Sequence, residues 1–409
     1  MSSMQRRVVI VGTGHAAAQL ASSLRQQDWQ GEILLVGEEP HAPYQRPPLS
    51  KSYLAGERKA DSILIRPAAA YASHGVDLLT GRRVVSIDRV AKVVALNDGQ
   101  QLSYDKLALC TGARARHASI PGVESPGVFY LRTLADVDGI RVNISPGKSA
   151  VIIGGGYIGL EAAAVLRGLG MAVTLLELEA RVLSRVCASE VSAFYAGVHR
   201  EEGVDIHTGV EVLSIENGDG IRVVVCADGS RFPADLIIIG VGVTPNVELA
   251  EACGLAIDNG ILVDEFARTS DPDIVAAGDC TNHPNELLGR RVRLESVPNA
   301  VEQAKTAAGT LCDRPVPYQS YPWFWSDQYD LKLQIAGLSE GYDQVVLRGG
   351  KDRQRGFVAW YLRGGRLLAA DCINRPKEFM VARQLLARGL AVDPVALADE
   401  TIDPKNWLS

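Results

Sequence analysis

No C-x-x-C pair occurs in this 409-residue chain. Its cysteines, Cys110, Cys187, Cys226, Cys253, Cys280, Cys312 and Cys372, are odd in number and scattered. That spacing excludes a zinc ribbon and a local redox dithiol. It reads instead as free thiols in a reducing compartment. No apolar run approaches the roughly 18 residues a membrane span needs, and no charged-then-apolar leader opens the chain. The expected location is the cytoplasm, with no membrane partner. Basic charge is not in excess: 42 Lys and Arg stand against 48 Asp and Glu, a net of −6. Nucleic acid is therefore not an expected partner, and any basic docking patch must be local. The histidines form no metal-ligand cluster, and no Ser/His/Asp hydrolase arrangement is visible.

What is present is a globular balance, with 47% hydrophobic and 22% charged residues, over a length that suits two or three domains. The 40 glycines, about a tenth of the chain, exceed the usual ~7% and predict tight turns and close backbone approaches. Val8, Val9, Ile10 and Val11 form a continuous apolar run, as a strand buried on both faces requires. Gly12-Thr13-Gly14 follows, then a helix opening with His15, Ala16 and Ala17, then a second strand over 32–36. The same plan begins again at Ala150, with a strand over 151–153, Gly154-Gly155-Gly156, a helix over 158–169 and a strand over 172–176. Both units continue into a β-meander and a closing strand. Their Asp-Gly turns, at Asp98 and Asp228, lie 130 residues apart, as do the later Asp105 and Asp235. This pattern reads as two dinucleotide-binding domains related by internal duplication. Composition shifts near Pro315-Val316-Pro317, and the last ~85 residues alternate strands with a helix over 377–388, an α+β domain.

The glycine turns carry the chemistry. In Gly12-x-Gly14-x-x-Ala17 the first glycine allows the turn, the second lets backbone approach a pyrophosphate, and the third position needs a small residue for packing. The helix N-terminus then offers donors and positive potential to the phosphates. Glu38, 26 residues after Gly12, can accept from a ribose diol. Gly154-x-Gly156-x-x-Gly159, with Tyr157 and Ile158 inside it, is the full form of the motif. Glu177 lies 23 residues after Gly154. A carboxylate there favours a free 2′-hydroxyl, hence NADH over NADPH, although Arg181 nearby can soften the preference. Two such sites imply two dinucleotides, and the pairing suggests FAD in the first unit and NAD in the second.

At this point the chain resembles, over essentially its full length, the FAD-dependent, NADH-using ferredoxin reductases of oxygenase systems, the family typified by putidaredoxin reductase and the reductase components of biphenyl and toluene dioxygenases. These are glutathione-reductase-like flavoproteins. The resemblance rests on residues 44–51 (YQRPPLSK), Cys110-Thr111-Gly112, Leu131-Arg132-Thr133, residues 154–161 (GGGYIGLE), residues 243–246 (VTPN), Ala277-Gly278-Asp279, residues 295–300 (ESVPNA) and residues 322–328 (PWFWSDQ). The apoptosis-inducing-factor flavoproteins share several of these.

The resemblance implies an α/β fold with two Rossmann-like domains and a C-terminal α+β domain. The expected boundaries are 1–113 and 245–320 for FAD, 114–244 for NAD and 321–409 for the C-terminal domain. It implies that Arg46 and Pro47 lie near the isoalloxazine, that Lys51 sits near flavin N5, and that Glu161 pairs with Lys51. Thr111, Gly112, Arg132, Asp279, Glu295, Ser296, the Val297 and Val84 backbones and Trp325 would complete the FAD site. Gly242 and the Thr244-Pro245-Asn246 turn would border the nicotinamide. Lys305 and Arg66, with the Arg290-Arg291-Val292-Arg293 cluster, would meet an acidic partner.

The implied activity is reduction of a 2Fe–2S ferredoxin by NADH through FAD, feeding a cytochrome monooxygenase or a ring-hydroxylating dioxygenase. No cysteine pair follows either glycine motif, so electrons should leave the flavin directly. An NADH oxidase, a rubredoxin reductase and a redox-sensing flavoprotein remain the alternatives.

Overall fold

The computed structural model describes residues 6–218, 221–350 and 355–408. By contact density the chain divides into two units. The first comprises residues 1–46, 60–114 and 244–322. The second comprises 47–59, 115–243 and 323–409.

In the first unit the apolar run becomes the strand Arg7–Val11, the middle of a five-stranded sheet. Across the sheet the order is Ile274–Ala276, Lys106–Leu109, Arg7–Val11, Glu32–Gly37 and Val76–Thr80, all parallel. Val8, Val9 and Ile10 are fully buried, as a central parallel strand covered on both faces must be. One face is covered by the helices His15–Gln26 and Val297–Leu311. Ala17, Ala21, Ala300, Ala304, Ala307 and Ala308 form their small-residue contact, which lets the two helices approach closely. The other face packs on the antiparallel meander Val84–Asp88, Val93–Leu96 and Gln101–Ser103.

The second unit repeats this plan. Its parallel sheet runs Val204–Thr208, Ala172–Glu177, Ser149–Ile153, Leu236–Ile239 and Val128–Tyr130. The meander Val212–Asn217, Arg222–Cys226 and Arg231–Ala234 packs on one face. Strand order matches the first unit, with one difference. The strand beside the closing strand comes later in the chain in the first unit (Ile274–Ala276) and earlier in the second (Val128–Tyr130). The two cores thus draw their last strand from opposite directions along the chain.

The second unit also holds a five-stranded antiparallel sheet: Trp323–Gln328, Leu331–Gly337, Arg366–Ile373, Phe357–Arg363 and Gln344–Gly349. The helix Pro376–Arg388 lies against it. Strand Phe357–Arg363 is buried from Phe357 to Leu362, so neither face of its sheet is left to water there. On one side Tyr361 accepts from the backbone N–H of Ala188 at 3.0 Å, tying the sheet to the start of the helix Ser189–Glu201.

Candidate active site

The first glycine turn has the geometry a pyrophosphate needs. Gly12 has φ +118°, and a side-chain carbon there would lie 2.2 Å from the Cys110 carbonyl oxygen. Only glycine satisfies both conditions. Gly14 is the N-cap of His15–Gln26, with no side chain capping it. A carbon added to Gly14 meets no protein atom within 4 Å, so the approach to the helix end is open. His15 is half-buried, while Ala16 and Ala17 are buried under the sheet.

Around this turn the sequence-selected residues occupy distinct settings. Glu38 follows the second strand and is exposed, with Arg83 only at 4.0 Å, leaving its carboxylate available to a diol. Its neighbour Glu39 is committed to the fold: it accepts from Arg46 Nη2 at 2.5 Å and from the Tyr44 hydroxyl at 2.5 Å. Arg46 also donates to that hydroxyl at 2.6 Å, its guanidinium 4.5 Å from the Tyr44 ring centre.

Thr111 donates to the Asn246 carbonyl at 2.7 Å, and Asn246 returns bonds to Thr111 and Gly112. The Thr244–Asn246 turn is therefore fixed on the end of strand Lys106–Leu109. Val84 is buried at the start of the meander, and Asp279 is half-buried just beyond strand Ile274–Ala276. Ser296 caps the helix Val297–Leu311 by accepting from Asn299 N at 3.2 Å, and Glu295 pairs with Arg293 at 2.6 Å.

The second turn is tighter. Gly154 has φ +111°, with a potential side-chain carbon 2.4 Å from the Gly240 carbonyl oxygen. At Gly159 that carbon would lie 2.1 Å from Gly154 O, so helix and strand cross too closely here for the alanine that the first motif accepts at Ala17. Gly156 caps the helix Tyr157–Gly168 with open space above it. Glu177 is held by backbone: Oε2 accepts from Gly155 N at 2.5 Å and Oε1 from Glu179 N at 2.8 Å. Arg181 donates to the Ser184 carbonyl at 2.8 Å. Tyr157 is half-buried, with its hydroxyl shut off from solvent, and Ile158 is exposed. Gly242, at φ +100°, accepts from Arg116 N at 2.9 Å. These open, glycine-lined helix starts, each with a carboxylate at the end of the next strand, fit two dinucleotides.

The other cluster belongs entirely to the second unit. Lys51 follows the short 3-10 helix Pro47–Ser50. Its Nζ lies 2.6 Å from Glu161 Oε2 and 3.4 Å from the Pro47 carbonyl. Glu161 is on the fifth position of the helix Tyr157–Gly168, on the same face as Tyr157. That face meets strand Trp323–Gln328, whose alternation sorts its side chains. Phe324 packs on Tyr157, with ring centres 5.0 Å apart, and Ser326 donates to Glu161 Oε1 at 2.6 Å. Trp323 and Trp325, on the opposite face, stack 5.6 Å apart. Ser50 adds a second hydroxyl to Glu161, at 2.5 Å. The carboxylate, 4% exposed, thus faces one ammonium and two hydroxyl donors.

Sequence reasoning named Lys51 and Glu161. It gave no role to Ser50, Ser326, Gln328 or His199, because hydroxyls and amides carry no motif of their own.

The remaining expected residues are more dispersed. Arg132 is half-buried just before the capping box of Thr133 and Asp136, and its backbone N–H donates to Asp136 at 3.1 Å. Lys305 pairs with Glu302 at 2.7 Å and is about half exposed. Arg66 donates to Ser22 Oγ. Arg291 is spent on the carbonyls of Val263 and Asn282, so the arginine cluster does not present three free cations. All seven cysteines are free thiols. Burial pushes the Cys110 and Cys280 thiols up, so both are protonated, unreactive groups at neutral pH. Among the described residues no helix is long and apolar enough to cross a membrane.

Residues 6–304 match the pyridine nucleotide-disulphide oxidoreductase family, and residues 323–408 match the reductase C-terminal family. Putidaredoxin reductase of Pseudomonas putida is 48% identical over 408 residues, covering 98% of this chain and 96% of that protein. The anthranilate 1,2-dioxygenase system ferredoxin–NAD(+) reductase component of Burkholderia cepacia is 41% identical, covering 98% of both. Among solved structures, the reductase in the covalent putidaredoxin reductase–putidaredoxin complex superposes with a TM-score of 0.95 at 46% identity over 99% of both chains. The ferredoxin reductase for the CYP199A2 system from Rhodopseudomonas palustris also gives 0.95, at 41% identity over 98% of this chain and 100% of that one. With two open glycine turns, a lysine paired to a buried carboxylate and no dithiol, the chain belongs to the pyridine nucleotide-disulphide oxidoreductase family and, within it, to the FAD-dependent ferredoxin reductases.

Proposed function

We propose that this protein oxidises NADH and delivers the electrons singly to a 2Fe–2S ferredoxin that serves a cytochrome monooxygenase or a ring-hydroxylating dioxygenase. The observation that carries this reading is the Lys51–Glu161 pair, a half-buried cation beside a buried, satisfied carboxylate in a chain without a dithiol. Bound FAD supplies hydride acceptance and one-electron release. The protein's own groups bind, orient and balance charge.

Gly12, Gly14 and the start of His15–Gln26 hold the FAD pyrophosphate, with Glu38 on its ribose and Asp279 on its ribitol. Gly154, Gly156 and Gly159 hold the NADH pyrophosphate in the same way, with Glu177 on the adenosine ribose. Lys51 holds an ammonium where negative charge develops on reduction, and Glu161 fixes its position. Pro47 stiffens the segment that aims Lys51, and Trp325 shields the flavin from water. Lys305 and Arg66 steer the acidic ferredoxin. The scattered free thiols suit the reducing cytoplasm.

The test is anaerobic stopped-flow mixing. The FAD-loaded protein is reduced with NADH and then mixed with ferredoxin, rubredoxin or oxygen. Fast reoxidation by ferredoxin is expected. Faster reoxidation by rubredoxin or oxygen, or a folded active protein without flavin, would overturn the assignment.

A further inference from the structure

Glu161 is the inner end of a hydrogen-bonded chain that leads away from Lys51 through four more side chains. Ser326 gives its only proton to Glu161 Oε1, at 2.6 Å. The hydroxyl can then only accept from Gln328, whose Nε2 lies 3.2 Å away. With its NH₂ turned to Ser326, Gln328 presents its carbonyl to His199, and Oε1 stands 2.8 Å from Nε2. A carbonyl only accepts, so the imidazole proton sits on Nε2. Nδ1 is then the bare nitrogen, and the Tyr329 hydroxyl, 3.0 Å from it, donates.

One geometry fixes every proton, and every donor points towards Glu161. Ser326 and His199 are fully buried and Gln328 is 1% exposed, so water competes with none of the bonds between His199 and Glu161, whereas the Tyr329 hydroxyl at the outer end is only partly buried. Burial also holds the His199 ring below its ordinary range against the opposing influences of the Gln328 hydrogen bond and of Glu202, which keeps it neutral. The strand alternation that sets Phe324, Ser326 and Gln328 on one face, and the helices that carry Glu161 and His199, bring these residues together.

We propose that Ser326, Gln328 and His199 are positioning residues for flavin reduction: their aligned hydrogen bonds hold the Glu161 carboxylate on Lys51 and set how much of the lysine's charge remains for the reduced flavin. This rests on the assignment of Lys51 to the flavin. Aligned donors polarise one another and draw negative charge onto Glu161 Oε1, away from the oxygen facing Lys51. When the chain is cut, Glu161 neutralises the ammonium more fully, and the reduced flavin is less stabilised.

The test measures the reduction potential of the bound flavin by equilibration with redox dyes, a readout that needs neither NADH nor ferredoxin. Ser326→Ala shifts the two-electron equilibrium about tenfold towards oxidised flavin, about 30 mV more negative. Gln328→Met, of similar volume, shifts it roughly threefold, and Tyr329→Phe less than twofold. In the wild-type holoenzyme, ¹⁵N NMR shows His199 neutral and protonated on Nε2. Lys51→Met lowers the potential more than any of these.

A proton on Nδ1 overturns the proposal. So does an unchanged potential in Ser326→Ala and Gln328→Met while Lys51→Met shifts it. If Ser326→Ala fails to load flavin, Gln328→Met and the wild-type NMR spectrum decide the matter. An unchanged potential in Lys51→Met would overturn the assignment of Lys51 to the flavin, and the proposal with it.

Discussion

Replacing Glu177 with glutamine separates two functions of one carboxylate. Oε2 accepts from Gly155 N at 2.5 Å and Oε1 from Glu179 N at 2.8 Å, so the side chain both ties down the glycine turn and presents negative charge at the end of strand Ala172–Glu177. Glutamine keeps one oxygen for the Gly155 N–H and removes the charge. A hydrogen bond from a ribose hydroxyl to a carboxylate contributes about 1.4 kcal/mol more than one to an amide, roughly tenfold in kcat/KM. The carboxylate also repels a 2′-phosphate by up to about 4 kcal/mol at contact in a surface environment, before screening. A tenfold gain for NADPH is therefore a conservative expectation.

The ratio of kcat/KM for NADH to that for NADPH should fall about a hundredfold in Glu177→Gln. The change should lie in KM, because the ribose end is remote from the transferred hydride and contributes equally to ground and transition states. Steady-state reduction of a dye acceptor with each nucleotide measures it. A ratio within twofold of wild type would refute the ribose assignment. A loss of kcat at constant KM would show that Glu177 serves only the turn.

Three further outcomes are expected. Gly159→Ala forces a methyl group within 2.1 Å of Gly154 O. The helix must shift, so KM for NADH should rise at least about tenfold while flavin absorbance is retained, and loss of flavin with normal NADH binding would contradict the placement. Asp371 is buried, accepts from the Tyr361 hydroxyl at 2.5 Å, and burial raises its carboxyl to about 7. The folded protein therefore keeps a proton there that the unfolded chain releases near pH 4, and stability falls as pH rises from about 4 to 7, by up to about 4 kcal/mol. Asp371→Asn should flatten that dependence in urea unfolding compared at pH 5 and pH 8, and an unaltered slope would sink the argument. Lys305→Glu should lower the second-order rate of ferredoxin reduction about tenfold at low salt and weaken its salt dependence, with dye reduction unaffected; an unchanged rate would remove Lys305 from the docking surface.

Those parts of the fold whose physics is local were legible in the chain. Strand runs, glycine spacing and the 130-residue echo define two dinucleotide folds because a βαβ turn is specified within about thirty residues. Gly12, Gly154 and Gly159 were legible because backbone approach permits only one residue type. Glu177 was legible because its place at the strand end follows from chain length. Lys51 and Glu161 became a pair only through resemblance, since nothing in their spacing of 110 residues joins them.

Tertiary packing alone decided the rest. It separated Glu38, left open, from Glu39, locked by Arg46 and Tyr44, although adjacent glutamates look alike in a sequence. It laid one face of strand Trp323–Gln328 against the Tyr157–Glu161 face of a helix about 160 residues earlier, and thereby gave Ser326, Gln328 and His199 their direction. Hydroxyls and amides acquire meaning only from the partner they face when water is excluded, and that partner is set by where two elements cross.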